Sequence, residues 1–350
     1  MCSSDLGTVG KTTAKDLTAA VVGTAFKTHR SEGNLNSREG LPLALFSLQP
    51  ADEVSILEMG MDSPGEIREL CGIAQPDIGV VLNIGLTHVS KLGSIEAIAA
   101  EKLSLARYLG PAGTAALNLD DALIRAVAAN LSCKVIGFGA CRSAALQRGD
   151  IQDRGLEGTR FDVNYAGEMA HARSPLPGAH VVPSALAAMA VGLALGMSLP
   201  SVVSALANVE PTGRITPRAG ANGATILDDR YNASPASVAG ALELLRGLPG
   251  RRIALLGKMA ELGQFEVAEH EKAGRLAAEC CDILFCFGPT TRTLADAASA
   301  AGVTDVRWFE TKDEAAAALA ALLAPGDVAL VKGSRSEALE TILPLLEGAG

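Results

Sequence analysis

Aromatic residues and positive charge are both scarce in this chain of 350 residues. Phe, Trp and Tyr make up 3% of it, so the core has to be built from Ala, Leu, Val and Ile. The 30 Lys and Arg are outnumbered by 39 Asp and Glu, which leaves a net charge of -9. A general nucleic-acid binder needs a basic face for its phosphate contacts, so this charge balance argues against one.

Zinc-site cysteine pairs and export signals are missing as well. The seven cysteines form no C-x-x-C pair and have no histidine at zinc-site spacing. Several lie in apolar runs, as buried thiols of a reducing cytoplasm do. No signal peptide is recognisable, and we expect a cytoplasmic location. Pro183 and Pro200 interrupt the apolar stretch 181–207, which favours two packed helices over a membrane span.

Strand and helix patterns alternate along the first part of the chain. At 48% hydrophobic content, a chain of this length is expected to form two domains. The alternation predicts an α/β fold with a mostly parallel, doubly wound sheet, and residues 144–175 interrupt it as antiparallel ribbons at a sheet edge. The predicted strands are 53–60, 77–85, 113–119 and 134–139, and the predicted helices are 11–24, 64–74, 94–109 and 121–131.

A second alternating series begins near residue 213 and predicts a smaller Rossmann-like α/β domain. The predicted domains are therefore 1–212 and 213–350. Ligands of such domains bind at the carboxyl ends of the strands, where the informative polar residues of this sequence fall. The predicted strands of the second series are 224–229, 252–257, 282–288, 305–309 and 327–333.

A phosphate loop lies almost at the start of the chain. It has the short form Gly7-Thr8-Val9-Gly10-Lys11-Thr12-Thr13, and Asp5 stands where the full Walker spacing has its first Gly. Backbone N–H groups and the start of the following helix cradle a phosphate in such loops. Lys11 is expected to neutralise the β- and γ-phosphates, and the Thr12 hydroxyl to bind Mg²⁺.

The buried strand that normally precedes a phosphate loop is not predicted here. Residues 1–6 are too short and too polar to suggest one, which leads to the hypothesis of a truncated reading frame. Loss of a central strand would leave its two neighbours with unpaired backbone groups. On that hypothesis we expect the polypeptide to be unstable or inactive.

Two side chains near predicted strand ends are candidate metal ligands or phosphate contacts. Glu58 ends an apolar strand, which favours a Mg²⁺ ligand over a capping or exposed carboxylate. His88 closes the next strand and is interpreted as a metal or phosphate contact, with an ordinary loop histidine as the alternative. Lys102 lies within a helix, and spacing alone leaves it a surface lysine with an i,i+4 partner.

Three polar segments stand at turns before helices. Residues 31–36 predict a loop with a helix cap, and 228–235 follow a strand and lead into a helix. In 332–336, Gly333 and Ser334 lie between two cations at a helix start. That arrangement suits a carboxylate or phosphate, and a capped helix with solvated charges is the equal alternative.

In this order the segments resemble the Mur ligase superfamily, and among its branches the MurF type. The resemblance runs from residue 7 to about residue 346. Its specific markers are GTVGKTT at 7–13, SEGNLN at 31–36, EMGMDSPGEI at 58–67, NIGLTH at 83–88, the Lys102 helix, DDRYNASP at 228–235, GKMAELG at 257–263 and KGSRS at 332–336.

The resemblance implies an ATP-dependent amide ligase of peptidoglycan precursor synthesis, acting as a monomer. ATP would phosphorylate the terminal carboxylate of UDP-N-acetylmuramoyl tripeptide, and the amine of D-alanyl-D-alanine would attack the acyl phosphate. It also implies an ATP-binding first domain and two Mg²⁺ ions, the first held by Thr12 and Glu58. The second ion would be held by His88 and by Lys102, carbamylated by CO₂.

The remaining roles are likewise implied by position. Asn34 would approach the γ-phosphate. The loop residues Gly7, Thr8, Gly10, Lys11, Thr12 and Thr13 would bind the nucleotide together with Arg214, Asp229 and Tyr231 across the domain cleft. The substrates would be bound by Asn232, Lys332, Ser334 and Arg335.

The sequence departs from the family pattern at five positions and lacks the uridine-binding domain that precedes the phosphate loop in MurF-type enzymes. Nucleotide affinity and turnover are the properties that these changes put in question. Two alternatives follow, an inactive nucleotide-binding remnant or paralogue and a related Mur or folylpolyglutamate-type ligase with another amine acceptor. The departing residues are Val181, Ser184, Arg230, Ser234 and Lys258.

Overall fold

The structure is a computed structural model that describes residues 2–7, 10–33, 35–86, 89–210 and 215–347. The chain divides into two compact units. The first consists of Met1–Arg154, Gly158–Pro175 and Ala179–Glu210, and the second of Gly155–Glu157, Leu176–Gly178 and Pro211–Gly350. The predicted domain boundary between residues 212 and 213 stays a prediction.

The first unit is built on a nine-stranded sheet with the order β2-β3-β1-β4-β5-β6-β7-β8-β9. Neighbouring strands are parallel from β2 to β7, and β7, β8 and β9 form an antiparallel ribbon at one edge. The mostly parallel sheet and the edge ribbon are therefore confirmed. The strands are β1 Cys2–Leu6, β2 Thr28–Arg30, β3 Val54–Glu58, β4 Ile78–Val81, β5 Thr114–Asn118, β6 Lys134–Gly139, β7 Leu146–Asp153, β8 Thr159–Tyr165 and β9 Glu168–Ser174.

The prediction that the strand before the phosphate loop is missing is wrong. β1 lies between β3 and β4, with Asp5 opposite Glu58 and Leu6 opposite Val81. Five residues are an ordinary strand length, and the hydrogen bonds of a central strand come from its backbone, whatever its side chains are. The polarity of residues 1–6 was therefore a misleading criterion. The expected instability assumed that β3 and β4 have unpaired backbone groups where β1 should be. Both strands are paired with β1, so that reason for instability does not apply.

The helices of the first unit begin at recognisable signals. Ser94 accepts a hydrogen bond from Ala97 N–H at the start of α5, and Asp121 caps α6 in the same way. Among the described residues, no helix combines the length and apolar character that crossing a bilayer requires. The helices are α1 Lys11–Val22, α2 Gly40–Phe46, α3 Glu66–Ala74, α4 Val89–Leu92, α5 Ile95–Tyr108, α6 Ala122–Ala128, α7 Val182–Ala194 and α8 Leu199–Ala207.

The second unit is a six-stranded sheet with the order β10-β11-β15-β12-β13-β14. Only β10 runs antiparallel to its neighbour, so the predicted Rossmann-like series is confirmed and β10 is an addition to it. The strands are β10 Thr216–Ala219, β11 Thr225–Asp228, β12 Arg252–Leu256, β13 Ile283–Phe287, β14 Asp305–Phe309 and β15 Val328–Lys332. The helices are α9 Pro235–Arg246, α10 Glu266–Cys280, α11 Arg292–Ala300, α12 Lys312–Leu322 and α13 Leu343–Glu347.

Candidate functional site

The phosphate loop connects the end of β1 to the start of α1. Gly10 has a φ of 87°, and a Cβ atom there would lie 2.7 Å from the Ser184 hydroxyl oxygen, so the position requires glycine. Among the described residues, no side chain caps the start of α1, and the N-terminus of a helix is a favourable place for an anion. Lys11 Nζ donates to the Gly7 carbonyl at 3.0 Å, so the cation lies over the loop.

Ser184 contacts the phosphate loop from α7. Its hydroxyl donates to the Gly10 carbonyl oxygen at 3.3 Å. Ser184 is one of the five departures from the family pattern, and its side chain contacts the loop backbone. The expected effect on nucleotide affinity stays a prediction.

Glu58 is the last residue of β3, and its carboxylate is enclosed by neutral donors. Thr12 Oγ1 donates to Glu58 Oε2 at 2.9 Å, and Asn36 Nδ2 donates to Oε1 at 2.8 Å. Glu58 as a whole residue is 3% exposed. A buried carboxylate is expected to have a cationic partner or to bind a metal ion, and no ion pair involves Glu58 within the described residues. This environment suits a hard cation such as Mg²⁺.

Asn36 is a member of this site that the sequence analysis did not single out. The polar segment 31–36 contains two asparagines. The resemblance assigns a role to Asn34, which lies outside the described residues. Besides its side-chain contact with Glu58, Asn36 accepts a hydrogen bond from Gly60 N–H through its carbonyl at 2.7 Å. Its place at the end of the Glu-Gly-Asn-Leu-Asn run was the available signal.

Lys102 on α5 is buried, so the alternative of a surface lysine is wrong. The residue is 2% exposed, and Nζ donates to the Asn83 carbonyl at 3.3 Å. Burial lowers the pKa of Lys102 well below its usual value; the positive charge of Lys11 lowers it further, and Asp121 opposes the shift. The pKa change favours the neutral, nucleophilic form of the amine.

The neighbouring Glu101 anchors α5 to the start of α3. Its two carboxylate oxygens accept hydrogen bonds from Gly65 N–H at 2.8 Å and Ile67 N–H at 2.9 Å. A carboxylate at a helix N-terminus satisfies free donors and complements the helix dipole. Glu101 thereby fixes the part of α5 that presents Lys102.

Four predicted site residues, Thr8, Asn34, His88 and Arg214, lie outside the described residues. In the described ranges, no three His, Cys, Asp or Glu side chains are grouped closely enough to hold a metal ion. The structure does bring Thr12, Glu58 and Asn36 together. The oxygens of Thr12 and Glu58 are of the kind that Mg²⁺ prefers, and Mg²⁺ in nucleotide sites ordinarily takes its other ligands from phosphate and water.

The second unit places Asp229 and Lys332 together at the carboxyl ends of β11 and β15. Lys332 Nζ lies 2.6 Å from Asp229 Oδ2 and donates to the Asn232 carbonyl at 2.9 Å. Both side chains are buried. The Asn232 side-chain oxygen accepts from Arg335 N–H at 3.4 Å, which joins the segments 228–235 and 332–336.

Lys258 and Ser334 join two further segments of the second unit. Ser334 N–H donates to the Lys258 carbonyl at 3.0 Å, and Lys258 Nζ lies 3.4 Å from Glu337 Oε1. Lys258, one of the five departures from the family pattern, therefore has an acidic partner. Tyr231 is half-buried, and Arg335 is exposed and lies 3.1 Å from Glu340.

Two further departures from the family pattern also have local partners. Arg230 lies 3.1 Å from Asp228 Oδ2, an oxygen that Arg218 contacts at 2.8 Å. Ser234 forms a capping box with Ser237 at the start of α9. Both residues therefore satisfy local charge or hydrogen-bonding requirements.

The segment after β12 is held by a buried histidine. His270 Nε2 accepts a hydrogen bond from Met259 N–H at 3.0 Å, so Nδ1 carries the ring proton and donates to the Glu266 carbonyl at 2.8 Å. Burial lowers the pKa of His270, and the backbone carbonyl of Glu266 opposes the shift. The neutral ring holds the segment that contains Lys258.

Two family models match the chain. The Mur ligase middle domain matches residues 7–192, and the Mur ligase glutamate ligase domain matches residues 213–335. The UDP-N-acetylmuramoyl-tripeptide–D-alanyl-D-alanine ligase of Synechocystis sp. is 35% identical over 343 residues, covering 97% of this chain and 73% of the relative. The ligase of that name from Bacillus subtilis is 33% identical over 342 residues, covering 96% and 74%.

Solved structures show the same similarity. MurF from Acinetobacter baumannii has a TM-score of 0.88 at 29% identity, covering 98% of this chain and 75% of that one. MurF ligase from Thermotoga maritima in complex with ADP has a TM-score of 0.87 at 26% identity, covering 99% and 79%. The similarity thus extends over nearly the whole chain.

Proposed function

This chain belongs to the Mur ligase family, and from that premise we propose that it joins D-alanyl-D-alanine to UDP-N-acetylmuramoyl tripeptide with conversion of ATP to ADP and phosphate. The observation that carries the proposal is the buried Glu58 carboxylate, contacted by Thr12 in the first turn of the phosphate-loop helix. A buried carboxylate that forms no ion pair with any described residue is suited, at that place, to a metal-bound triphosphate.

The reaction has two steps. A carboxylate oxygen of the tripeptide attacks the γ-phosphorus of ATP, the bond to the β-phosphate oxygen breaks, and an acyl phosphate and ADP form. The dipeptide amine then attacks the acyl carbon, and the tetrahedral intermediate releases inorganic phosphate and a proton to give the amide. The N–H groups at the start of α1 and the Lys11 ammonium would orient the triphosphate and offset its charge.

Glu58 and Thr12 are the described residues that would hold Mg²⁺, and the resemblance adds His88 and Lys102 for a second ion. When bound, Mg²⁺ withdraws charge from the transferring phosphoryl group. Asn36 would fix the orientation of the Glu58 carboxylate through its 2.8 Å hydrogen bond. The Thr12 hydroxyl, which now donates to Glu58, would turn its oxygen towards the ion.

We further propose that Lys102 is carbamylated. Burial and the lowered pKa favour the neutral amine that reacts with CO₂, forming an N–C bond with loss of a proton. The product is a carboxylate-like oxygen ligand. Carbon-13 NMR with labelled bicarbonate is expected to show a carbamate resonance that Lys102→Ala lacks. An identical resonance in the variant, or none in the wild type, would contradict this modification.

The other assigned roles remain proposals. Asn34 near the γ-phosphate, and Arg214, Asp229 and Tyr231 near the nucleotide, follow from position in the family motifs. Substrate binding is proposed for Asn232, Lys332, Ser334 and Arg335. For Lys332, the described contacts support an indirect role, since its ammonium is already paired with Asp229. The domain boundary at 212/213, the monomeric state and the cytoplasmic location also stay predictions.

The test is ADP release measured with UDP-N-acetylmuramoyl tripeptide and a panel of amine acceptors. We expect ADP formation that depends on D-alanyl-D-alanine and is lost in Glu58→Gln. Preference for another amine would identify a related ligase. ATP binding without ADP formation under any acceptor would identify a non-catalytic nucleotide-binding protein.

A further inference from the structure

Lys15 is a buried cation that the sequence analysis did not mark. It lies on α1, one turn after Lys11, and is 2% exposed. Its Nζ donates to the Ser31 carbonyl at 2.9 Å and to the Gly33 carbonyl at 3.0 Å. No carboxylate forms an ion pair with it within the described ranges. A buried ammonium is costly unless its donors are used, and here they hold the loop after β2.

That loop also contacts the end of β3. Ser31 Oγ accepts a hydrogen bond from Glu58 N–H at 3.3 Å, and Asn36 donates to Glu58 Oε1 at 2.8 Å. The Asn36 carbonyl accepts from Gly60 N–H at 2.7 Å. The loop therefore contacts both the backbone and the carboxylate of Glu58.

These contacts close a ring. Thr12 on α1 contacts one carboxylate oxygen of Glu58, Asn36 on the loop contacts the other, and Lys15 ties the loop back to α1. We propose that Lys15 is a positioning residue, which fixes the distance between Thr12 and Asn36 and so sets the orientation of the Glu58 carboxylate for its cation. The link to the reaction rests on the proposed function, whereas the link to the loop does not.

An aliphatic side chain could fill the same space without the desolvation cost of an ammonium. It could not hold two carbonyl groups at once, because it has no donors. The charge and the donors of Lys15 are therefore the features to vary. Lys15→Met removes both, Lys15→Gln keeps neutral donors, and Lys15→Arg keeps charged donors. Lys27→Met, at an exposed lysine before β2, is the matched control.

The primary measurement is amide hydrogen exchange in metal-free protein. At the Glu58 and Gly60 amides, we expect exchange at least about tenfold faster in Lys15→Met than in the wild type, a smaller change in Lys15→Arg, and none in Lys27→Met. The Mg²⁺ concentration for half-maximal ADP formation is expected to rise about tenfold in Lys15→Met, with a smaller change in kcat.

The alternative is that Lys15 only fills space. A folded Lys15→Met protein with a lower Tm but wild-type exchange at both amides would establish that alternative and overturn the proposal. If Lys15→Met does not fold, Lys15→Gln and Lys15→Arg decide at the same amides. Equal exchange in both and in the wild type would overturn the proposal. Faster exchange in a protein whose wild type forms no ADP would support the positioning of the loop and contradict only the ligase function.

Discussion

Each unit has a buried carboxylate at the carboxyl end of a strand, Glu58 as the last residue of β3 and Asp229 directly after β11, and their partners differ. Glu58 in the first unit is 3% exposed and receives hydrogen bonds from a hydroxyl and an amide. Asp229 in the second unit is 5% exposed and lies 2.6 Å from the Lys332 ammonium. Buried charges are normally paired or bind metal. Asp229 therefore has its counter-charge within the fold, whereas Glu58 is suited to a cation that the nucleotide brings.

Replacing Glu58 with Gln should have the largest effect on activity, without destabilising the fold. The amide removes the charge that holds the metal, so we expect ADP formation to fall on the order of a thousandfold. Stability to urea should stay the same or rise, because a buried charge without a cationic partner is removed. Glu168→Gln, at an exposed position on β9, is the control and should leave both properties unchanged.

Replacing Asp229 with Asn should instead destabilise the protein. Lys332 would be left as an unpaired buried ammonium, and removing one partner of such a pair costs about 3–5 kcal/mol. Trp308, the single tryptophan, lies on β14 and reports unfolding of the second unit by fluorescence. Asp229→Leu with Lys332→Met should recover most of the loss. Equal stability of Asp229→Asn and the wild type would contradict the assignment of a structural ion pair.

His270 is a third kind of buried group, because its ring is neutral in the folded protein. Because its pKa is lowered in the folded state, the unfolded chain binds a proton first as pH falls below the usual value of 6.5. The contribution of His270 to the free energy of unfolding should therefore be fully present above that pH and decrease as the pH falls. His270→Gln should show a shallower decrease between pH 7 and 5, measured by urea unfolding at each pH. Identical slopes would contradict this prediction.

The sequence predicted most of the fold because strand and helix periodicities are local properties. The ends of β3, β12 and β15 were predicted within a few residues, and with them the position of Glu58. β1 was missed because a central strand of polar residues has no hydrophobic signature, although its backbone pairs on both sides. The short β2 and α2 offered too little pattern to be predicted.

The parts of the site that escaped the sequence analysis depend on contacts between distant segments. Nothing about Lys15 in its own helix indicates that two carbonyl groups of another loop meet its amine. Lys102 looked like a surface residue because helix spacing does not show which face meets the sheet. The burial of Lys102 results from the packing of α5 in the folded unit.

Binding of ADP with and without Mg²⁺, in the wild type and in Glu58→Gln, separates a metal-binding role of the Glu58 carboxylate from a purely structural one. We expect Mg²⁺ to increase the ADP affinity of the wild type at least about tenfold, which corresponds to about 1.4 kcal/mol, and to leave that of Glu58→Gln nearly unchanged. An equal Mg²⁺-dependent increase in both proteins would show that the cation is held elsewhere and that Glu58 is not its ligand.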